Sequence, residues 1–183
     1  MTINKSERGQ SALVVIDVQI DVVKEAFERD SKIANMVTAV DKARAASLPI
    51  IWVQDHESLP IGTDGWQIVP ELTPLDSDRR VSKIYRSSFE ETNLEEVLSS
   101  LSIGHLYICG AETNNCVRHT CHAALERGYD VTLIADAHTT TGFEWNGFIV
   151  DAARTIDEQN TNFYDNQMPG RSIRAVKVAD LFN

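Results

Sequence analysis

Short apolar runs rich in β-branched residues alternate along this chain with longer segments whose apolar residues recur at helical spacing. Continuous apolar runs of this length are typical of strands buried on both faces, as in parallel sheets. Six strands are predicted, at residues 12–16, 50–53, 81–84, 106–109, 129–134 and 173–178. Four helices are predicted, at residues 31–47, 92–101, 116–127 and 146–158. The alternation predicts an α/β fold with three α/β/α layers around a mostly parallel, six-stranded, Rossmann-like sheet.

The length and the charge of the chain restrict its domain count and its partners. At 183 residues, we expect a single domain, residues 1–183, that is large enough to enclose a substantial core. The 27 acidic and 17 basic side chains give a net charge of −10. Nucleic acids and anionic membrane surfaces select basic patches, so neither is expected as the main partner.

The cysteines and the first residues of the chain indicate a compartment. Three cysteines without paired spacing do not make a disulfide framework, which favours a reducing environment. The first ten residues contain no apolar signal-peptide core, and no apolar run approaches the length of a membrane span. We therefore expect a cytoplasmic protein that does not associate with membranes.

A strand, a tight polar turn and a helix are predicted around Cys116, with Asn114 or Asn115 as the N-cap of the helix. The partial positive charge and unpaired N–H groups of a helix N-terminus would lower the pKa of the thiol and could hold an oxyanion. Free cysteines are more often inert core residues, and Cys109 and Cys121 fit that description. Cys116 differs because it follows the carboxyl end of a predicted strand, where ligands bind in open α/β sheets.

Charged residues also lie at the ends of other predicted strands. Asp17 directly follows the first strand, where it could cap the following loop or lie as a functional group at the carboxyl edge of the sheet, and Gln19 lies in the same loop. Lys83 lies within the third strand, as either a solvated lysine of an edge strand or a buried lysine paired with a carboxylate. His119, three residues after Cys116 on the predicted helix, offers a cysteine–histidine dyad as a rival arrangement. The residues by themselves leave these alternatives open.

Three separate motifs resemble those of the isochorismatase-like cysteine hydrolases. This superfamily includes nicotinamidases, N-carbamoylsarcosine and ureidoacrylate amidohydrolases, and isochorismatases. The motifs are ALVVIDVQ with Asp17, VSKIYRSSF with Lys83 and CGAETNNCV with Cys116, in the order and spacing of the family. Each motif alone is weakly specific, but the three together, on predicted strand ends, are strongly specific. The resemblance covers nearly the whole chain, from the first strand through RGYDVTLIADA.

The resemblance implies a role for each of these residues. Cys116 is similar to the nucleophile of the family, Asp17 to the base that takes its proton, and Lys83 to the cation that holds both in place. The oxyanion hole of the family corresponds to the backbone N–H groups of Glu112 and Cys116. Its non-proline cis peptide bond falls between Ala111 and Glu112.

The resemblance also bears on the pocket and on assembly. Phe89 lies at the spacing of a pocket aromatic in relatives, and Gln19 and Val117 are further candidates for lining the substrate pocket. Relatives are commonly dimers or tetramers whose neighbouring subunits complete the pocket, so a homo-oligomer is expected.

The implied activity is hydrolysis of a C–N bond in a small amide, ureido or lactam-like substrate, through a thioester on Cys116 and without a cofactor. Two alternatives are a vinyl-ether hydrolase of the isochorismatase type and a catalytically silent member that binds a partner. Nicotinamidases bind a metal through an aspartate and two nearby histidines after the second strand. Here that region contains Asp55 and His56 with no second histidine in the following loop, so no metal site is expected.

Overall fold

A computed structural model describes Asn4 and residues 7–182 of the chain. The strands in this part of the chain are β1 (Gln10–Ile16), β2 (Ile50–Asp55), β3 (Arg79–Lys83), β4 (Ile103–Ala111), β5 (Asp130–Thr139), β6 (Phe143–Trp145), β7 (Phe148–Val150) and β8 (Ile173–Val176). The α-helices are α1 (Arg29–Ala45), α2 (Leu94–Ser100), α3 (Arg118–Arg127) and α4 (Ala152–Asp165). A wide helical turn, Thr113–Val117, connects β4 to α3, and a short 3₁₀ turn, Val178–Asp180, follows β8.

Six of the strands form one parallel sheet in the order β3-β2-β1-β4-β5-β8. The apolar run of β1 lies at its centre, where every side chain from Ala12 to Ile16 is buried. Helix α1 covers one face of the sheet, and Met36 and Val40 pack there against Leu13 and other core side chains. Helices α2, α3 and α4 cover the other face. The predicted three-layer fold with a six-stranded sheet is therefore confirmed.

The helix predicted at residues 146–158 is wrong in its first half. Residues 143–150 form an antiparallel hairpin of β6 and β7, separate from the main sheet. Its two-residue turn, Asn146 and Gly147, has positive φ at both positions, which the turns of tight hairpins require. Phe148 and Ile149 matched the helical spacing but are exposed on the hairpin. Helix α4 begins after Asp151, whose carboxylate caps it by accepting a backbone hydrogen bond at 2.8 Å.

The order of the strands creates a candidate binding position beside β1. From β1 the chain moves outward to β2 and β3, and it then returns to β4 on the other side of β1. Ligands bind at such a reversal in open α/β sheets, outside the carboxyl ends of the strands. Asp17 follows β1 directly, Lys83 is the last residue of β3, and Cys116 lies in the turn after β4.

In the described part of the chain, no helix has the length and apolar character needed to cross a membrane.

Candidate active site

Asp17, Lys83 and Cys116 meet at the carboxyl edge of the sheet. Lys83 Nζ lies 2.7 Å from Asp17 Oδ2 and 3.2 Å from Cys116 Sγ. Asp55 Oδ2, at the end of β2, lies 3.8 Å from the same nitrogen. The three residues predicted from separate motifs therefore form one contact group around a single ammonium.

Lys83 is a buried, paired lysine even though β3 forms the end of the sheet. Side chains alternate along β3, so that Val81 and Lys83 face the interior while Ser82 is exposed. Lys83 as a whole is only 1% exposed. Burial by itself would lower the pKa of Lys83, but Asp17 and Cys116 raise it above its ordinary value, which keeps the ammonium charged. Of the two alternatives for this lysine, the structure contains the paired one.

Asp17 is a buried carboxylate paired with Lys83 and lying beside Cys116. Its φ of 49° lies in the left-handed region, and its backbone N–H donates to the Val53 carbonyl at 2.9 Å. Burial raises the pKa of Asp17 to about 6, against the opposing effect of Lys83. A hydrogen bond with the Cys116 thiol also lowers the pKa of Asp17. The carboxylate therefore lies next to the thiol whose proton it would accept.

The backbone around Cys116 differs from the predicted helix start. Helix α3 begins at Arg118, and Cys116 lies in the preceding wide turn, where Asn115 departs from helical geometry with φ −114° and ψ −105°. Asn115 Nδ2 donates to Glu112 Oε2 at 2.8 Å, and Asn114 Oδ1 accepts a hydrogen bond from a threonine hydroxyl at 2.6 Å. The prediction that one of these asparagines caps the helix is wrong, because both side chains bind within or beside the turn.

The pKa of the Cys116 thiol is raised, which contradicts the lowered pKa predicted from a helix N-terminus. Burial raises the pKa to about 12, the Asp17 carboxylate adds to the rise, and Lys83 opposes it. At neutral pH the sulfur therefore rests as a thiol beside an ionised carboxylate. This arrangement suits removal of the thiol proton by a general base during attack, rather than a preformed thiolate.

The turn before Cys116 contains a cis peptide bond between Ala111 and Glu112, at the position that the family resemblance implied. The Glu112 carbonyl accepts backbone hydrogen bonds from Asn115 and Val117, at 3.0 and 3.2 Å, and these bonds close the turn. Glu112 and Cys116 both line the cleft described below. The use of their N–H groups as an oxyanion hole stays a prediction.

His138 supports the same turn through hydrogen bonds at both nitrogens of its ring. Thr113 Oγ1 lies 2.8 Å from His138 Nδ1, and Asn160 Oδ1 lies 2.9 Å from Nε2. Asn160 Nδ2 donates to the Ala135 carbonyl at 3.0 Å, so Asn160 Oδ1 is the acceptor of the Nε2–H. Burial lowers the pKa of His138 to about 4, so the ring is neutral, and its Nδ1 accepts a hydrogen bond from the Thr113 hydroxyl. This chain of hydrogen bonds anchors the first residue of the turn that carries Cys116.

A cleft of about 510 Å³ opens over Cys116 and Asp17. Part of its wall is apolar or aromatic, formed by Val22, Leu59, Ile84 and Tyr85. Concave sites that combine an apolar wall with a few convergent polar groups are typical of small-molecule sites. The volume and the lining therefore suit a small substrate placed against the sulfur.

The three residues predicted to line the substrate pocket do not line this cleft. Gln19 is buried, and its side chain donates to the Asp55 and Trp66 carbonyls at 2.9 and 3.0 Å. It also accepts from the Asp55 N–H at 2.8 Å, so it ties the loop after β1 to the end of β2. Phe89 and Val117 pack in the core under α2 and α3. A contribution of these three residues to the substrate pocket stays a prediction.

The rival cysteine–histidine dyad has no support from the geometry. His119 is exposed and does not line the cleft, and its Nδ1 lies 2.8 Å from the Asn115 carbonyl oxygen. Asp55, one of the two residues compared with a metal site, interacts instead with Lys83 at 3.8 Å and accepts a hydrogen bond from the Glu57 N–H at 2.8 Å. Over Asn4 and residues 7–182, no three or more His, Cys, Asp or Glu side chains are grouped to hold a metal ion. A metal-independent reaction stays a prediction.

Comparisons with known proteins identify the family. The family model for the isochorismatase domain matches residues 11–158. A secreted isochorismatase effector of Verticillium dahliae is 32% identical over 136 residues, covering 69% of this chain and 71% of its own length. Ureidoacrylate amidohydrolase RutB of Klebsiella pneumoniae is 30% identical over 176 residues, covering 73% of this chain and 75% of its own. The crystal structure of an isochorismatase from Pseudomonas putida aligns with a TM-score of 0.84 at 24% identity, over 98% of this chain and 92% of the other. The chain therefore belongs to the isochorismatase family of hydrolases.

Proposed function

We propose that this chain hydrolyses a C–N bond of a small amide, ureido or lactam-like substrate, with Cys116 as the nucleophile and no metal. The observation that carries the proposal is the position of Lys83 Nζ, 2.7 Å from Asp17 and 3.2 Å from Cys116, beside an open cleft. A thiol, a base and a fixed cation are the groups that acyl transfer to sulfur requires. The amidohydrolase among the relatives supports the same class of reaction.

The reaction begins as Asp17 Oδ1 takes the thiol proton while the Cys116 sulfur attacks the carbonyl carbon of the substrate. The tetrahedral oxyanion is held by the backbone N–H groups of Glu112 and Cys116. It collapses as the C–N bond breaks, and Asp17 returns the proton to the departing nitrogen, which leaves as ammonia or an amine. Asp17 then takes a proton from water, and the resulting hydroxide attacks the thioester. A carboxylic acid (a carbamic acid for a ureido carbonyl) is released and the Cys116 thiol is restored.

Lys83 stabilises the charged forms of both partners in this cycle. Its ammonium opposes the effect of burial on the pKa of Asp17, and so keeps the base ionised at neutral pH. It also favours the sulfur anion as the proton leaves. Lys83 thus favours the ionised base before the transfer and the sulfur anion after it, without donating a proton itself.

The test is ammonia release from a panel of small amides, ureido compounds and lactams, together with mass spectrometry of the enzyme during turnover. The wild type is expected to accumulate an acyl adduct on Cys116 when thioester hydrolysis is slow. Cys116→Ala is expected to lose both the adduct and the activity. Cys121→Ala removes a different, buried thiol and serves as the matched control, with activity retained. An active Cys116→Ala protein would refute the proposal.

The second candidate is hydrolysis of a vinyl ether, which is favoured by the relative described as a secreted isochorismatase effector. That reaction can proceed by protonation of the double bond and addition of water, without a bond to sulfur. Turnover of isochorismate by Cys116→Ala at the wild-type rate, with no acyl adduct on the wild type, would favour it. A catalytically silent member would give neither product nor adduct with any substrate.

A further inference from the structure

The lining of the cleft carries an excess of negative charge. Six carboxylate side chains line it, those of Asp17, Asp21, Glu25, Asp55, Glu57 and Glu112. The lining contains two cationic side chains, from Lys24 and Arg86. Lys83, whose Nζ lies 2.7 Å from Asp17 Oδ2, neutralises the charge of one of these carboxylates. A cleft lined mainly by one sign of charge focuses its field and enriches ligands of the opposite sign.

Neighbouring basic side chains do not neutralise this acidic lining. Among the ion pairs within residues 7–182, none involves Asp21, Glu25, Glu57 or Glu112. Glu25 and Glu57 are also exposed, so they can meet an entering ligand while still hydrated. The two cationic side chains of the lining offset part of the charge, but carboxylates outnumber them.

The acidic side chains surround a reacting centre and are not simply a solvated patch. The Asp17 side chain is 2% exposed, lies in the lining beside Cys116, and is held by Lys83 Nζ at 2.7 Å, so the acidic lining encloses the proposed reacting groups. The excess of negative charge therefore acts on whatever molecule is placed against the sulfur.

We propose that the cleft selects a substrate with a protonated amine close to the scissile C–N bond, such as an amino-amide or an amino-lactam. This inference rests on the hydrolase function proposed above and names its substrate class. A carboxylate at the same place in the substrate would be repelled by the lining. The net charge of −10 on the whole chain acts in the same direction at longer range.

Charged thiol reagents test the selection without any turnover. A cationic and an anionic alkyl methanethiosulfonate of similar size each form a mixed disulfide with Cys116, while Cys109 and Cys121 are buried. The ratio of their rates on the protein, divided by the same ratio on 2-mercaptoethanol, reports the field at the sulfur. We expect a ratio of at least about tenfold in favour of the cation at about 0.01 M salt, falling toward one at about 0.5 M. A ratio of one or below at low salt would overturn the proposal.

Paired variants show whether the selection comes from the cleft. Glu25→Gln with Glu57→Gln removes two charges from the lining, and we expect the normalised ratio to fall by about threefold. Glu96→Gln with Glu126→Gln removes the same charge from exposed positions on α2 and α3 outside the lining. This control is expected to leave the ratio within the error of the wild type. Equal falls in both pairs would assign the effect to the net charge of the protein and contradict the proposal.

Matched substrates separate this inference from the hydrolase proposal. 3-Aminopropanamide, propanamide and succinamate present one primary amide with a cationic, a neutral and an anionic end. We expect kcat/KM for ammonia release to fall in that order. Faster hydrolysis of succinamate would overturn the charge selection while leaving amide hydrolysis intact. If no C–N substrate is cleaved but the reagent ratio favours the cation, the hydrolase proposal fails while the charge selection of the cleft stands.

Discussion

Replacing Lys83 by Met is expected to destabilise the protein by an amount that grows with pH. Methionine keeps a long apolar side chain but removes the positive charge 2.7 Å from Asp17 Oδ2. Burial then raises the pKa of Asp17 without the opposing effect of Lys83. An opposite charge at contact distance shifts a carboxyl pKa by roughly 1–3 units, so a shift of ~2 units is a fair central value. The pKa of Asp17 would rise from about 6 in the wild type to ~8 in the variant.

The folded-state pKa of Asp17 lies above its ordinary value of 3.8 in both proteins. The stabilising contribution of the protonated carboxyl is therefore present at low pH and is lost as pH rises through the folded-state pKa. At pH ~5, Asp17 is protonated in both folded proteins, so the pH-dependent cost of Lys83→Met is close to zero. With ~1.4 kcal/mol per pKa unit, that cost becomes ~1 kcal/mol at pH ~7 and ~2 kcal/mol at pH ~8.

Urea unfolding followed by far-UV circular dichroism, at three values of pH between about 5 and 8, measures this difference in the free energy of unfolding. The double variant Asp17→Asn with Lys83→Met lacks both groups, so this site should add no pH dependence to its stability over the same range. A cost of Lys83→Met that is equal at both ends of the range would show that the ammonium does not hold the Asp17 carboxylate ionised. That result would refute the electrostatic account of the site.

Three further outcomes follow from the structure. For any hydrolysed amide, kcat/KM should fall as pH decreases through about 6, because Asp17 must be ionised to act as the base; a pH–rate profile without this acidic limb would contradict that role. His138→Phe leaves the Thr113 hydroxyl without its acceptor, so kcat should fall at least about tenfold with KM little changed, and unfolding should cost ~1–3 kcal/mol less; unchanged kcat would contradict its positioning role. Phe148 and Ile149 of the hairpin are 75% and 83% exposed, and a second copy of the chain could cover them. In that case the double variant Phe148→Ser with Ile149→Ser should reduce the mass measured by light scattering to that of a monomer. A wild type that is already monomeric would contradict the predicted homo-oligomer.

The fold and the central group of the site could be predicted because both depend on local patterns and on sheet topology. Continuous apolar runs required strands buried on both faces, and parallel strands place their carboxyl ends at one edge. Asp17 and Cys116 follow such runs directly, so their convergence required no knowledge of side-chain packing. Lys83 was ambiguous, because the sequence does not show which face of an edge strand points inward; the alternation along β3 resolves it.

The remaining site depends on packing that a single sequence does not contain. Phe89 and Val117 are close to the site along the chain, but their side chains fill the core between the sheet and its helices. The pKa of Cys116 is raised because the sulfur is buried against a carboxylate, and this proximity exists only in three dimensions. His138 acts through Thr113, a residue 25 positions away, so neither residue carries a local signal for the contact.

The position of β3 at the end of the sheet affects the order in which the protein loses its activity and its structure in denaturant. Its backbone is held in the sheet through β2, and its last residue supplies the ammonium of the site. Terminal strands exchange their amide hydrogens through smaller openings than central ones, because fewer bonds must break. Peeling of this strand would withdraw the cation from the sulfur while the other five strands stay paired. As the denaturant concentration rises, activity should then be lost before the circular dichroism signal, because β3 separates from β2 before the rest of the sheet unfolds.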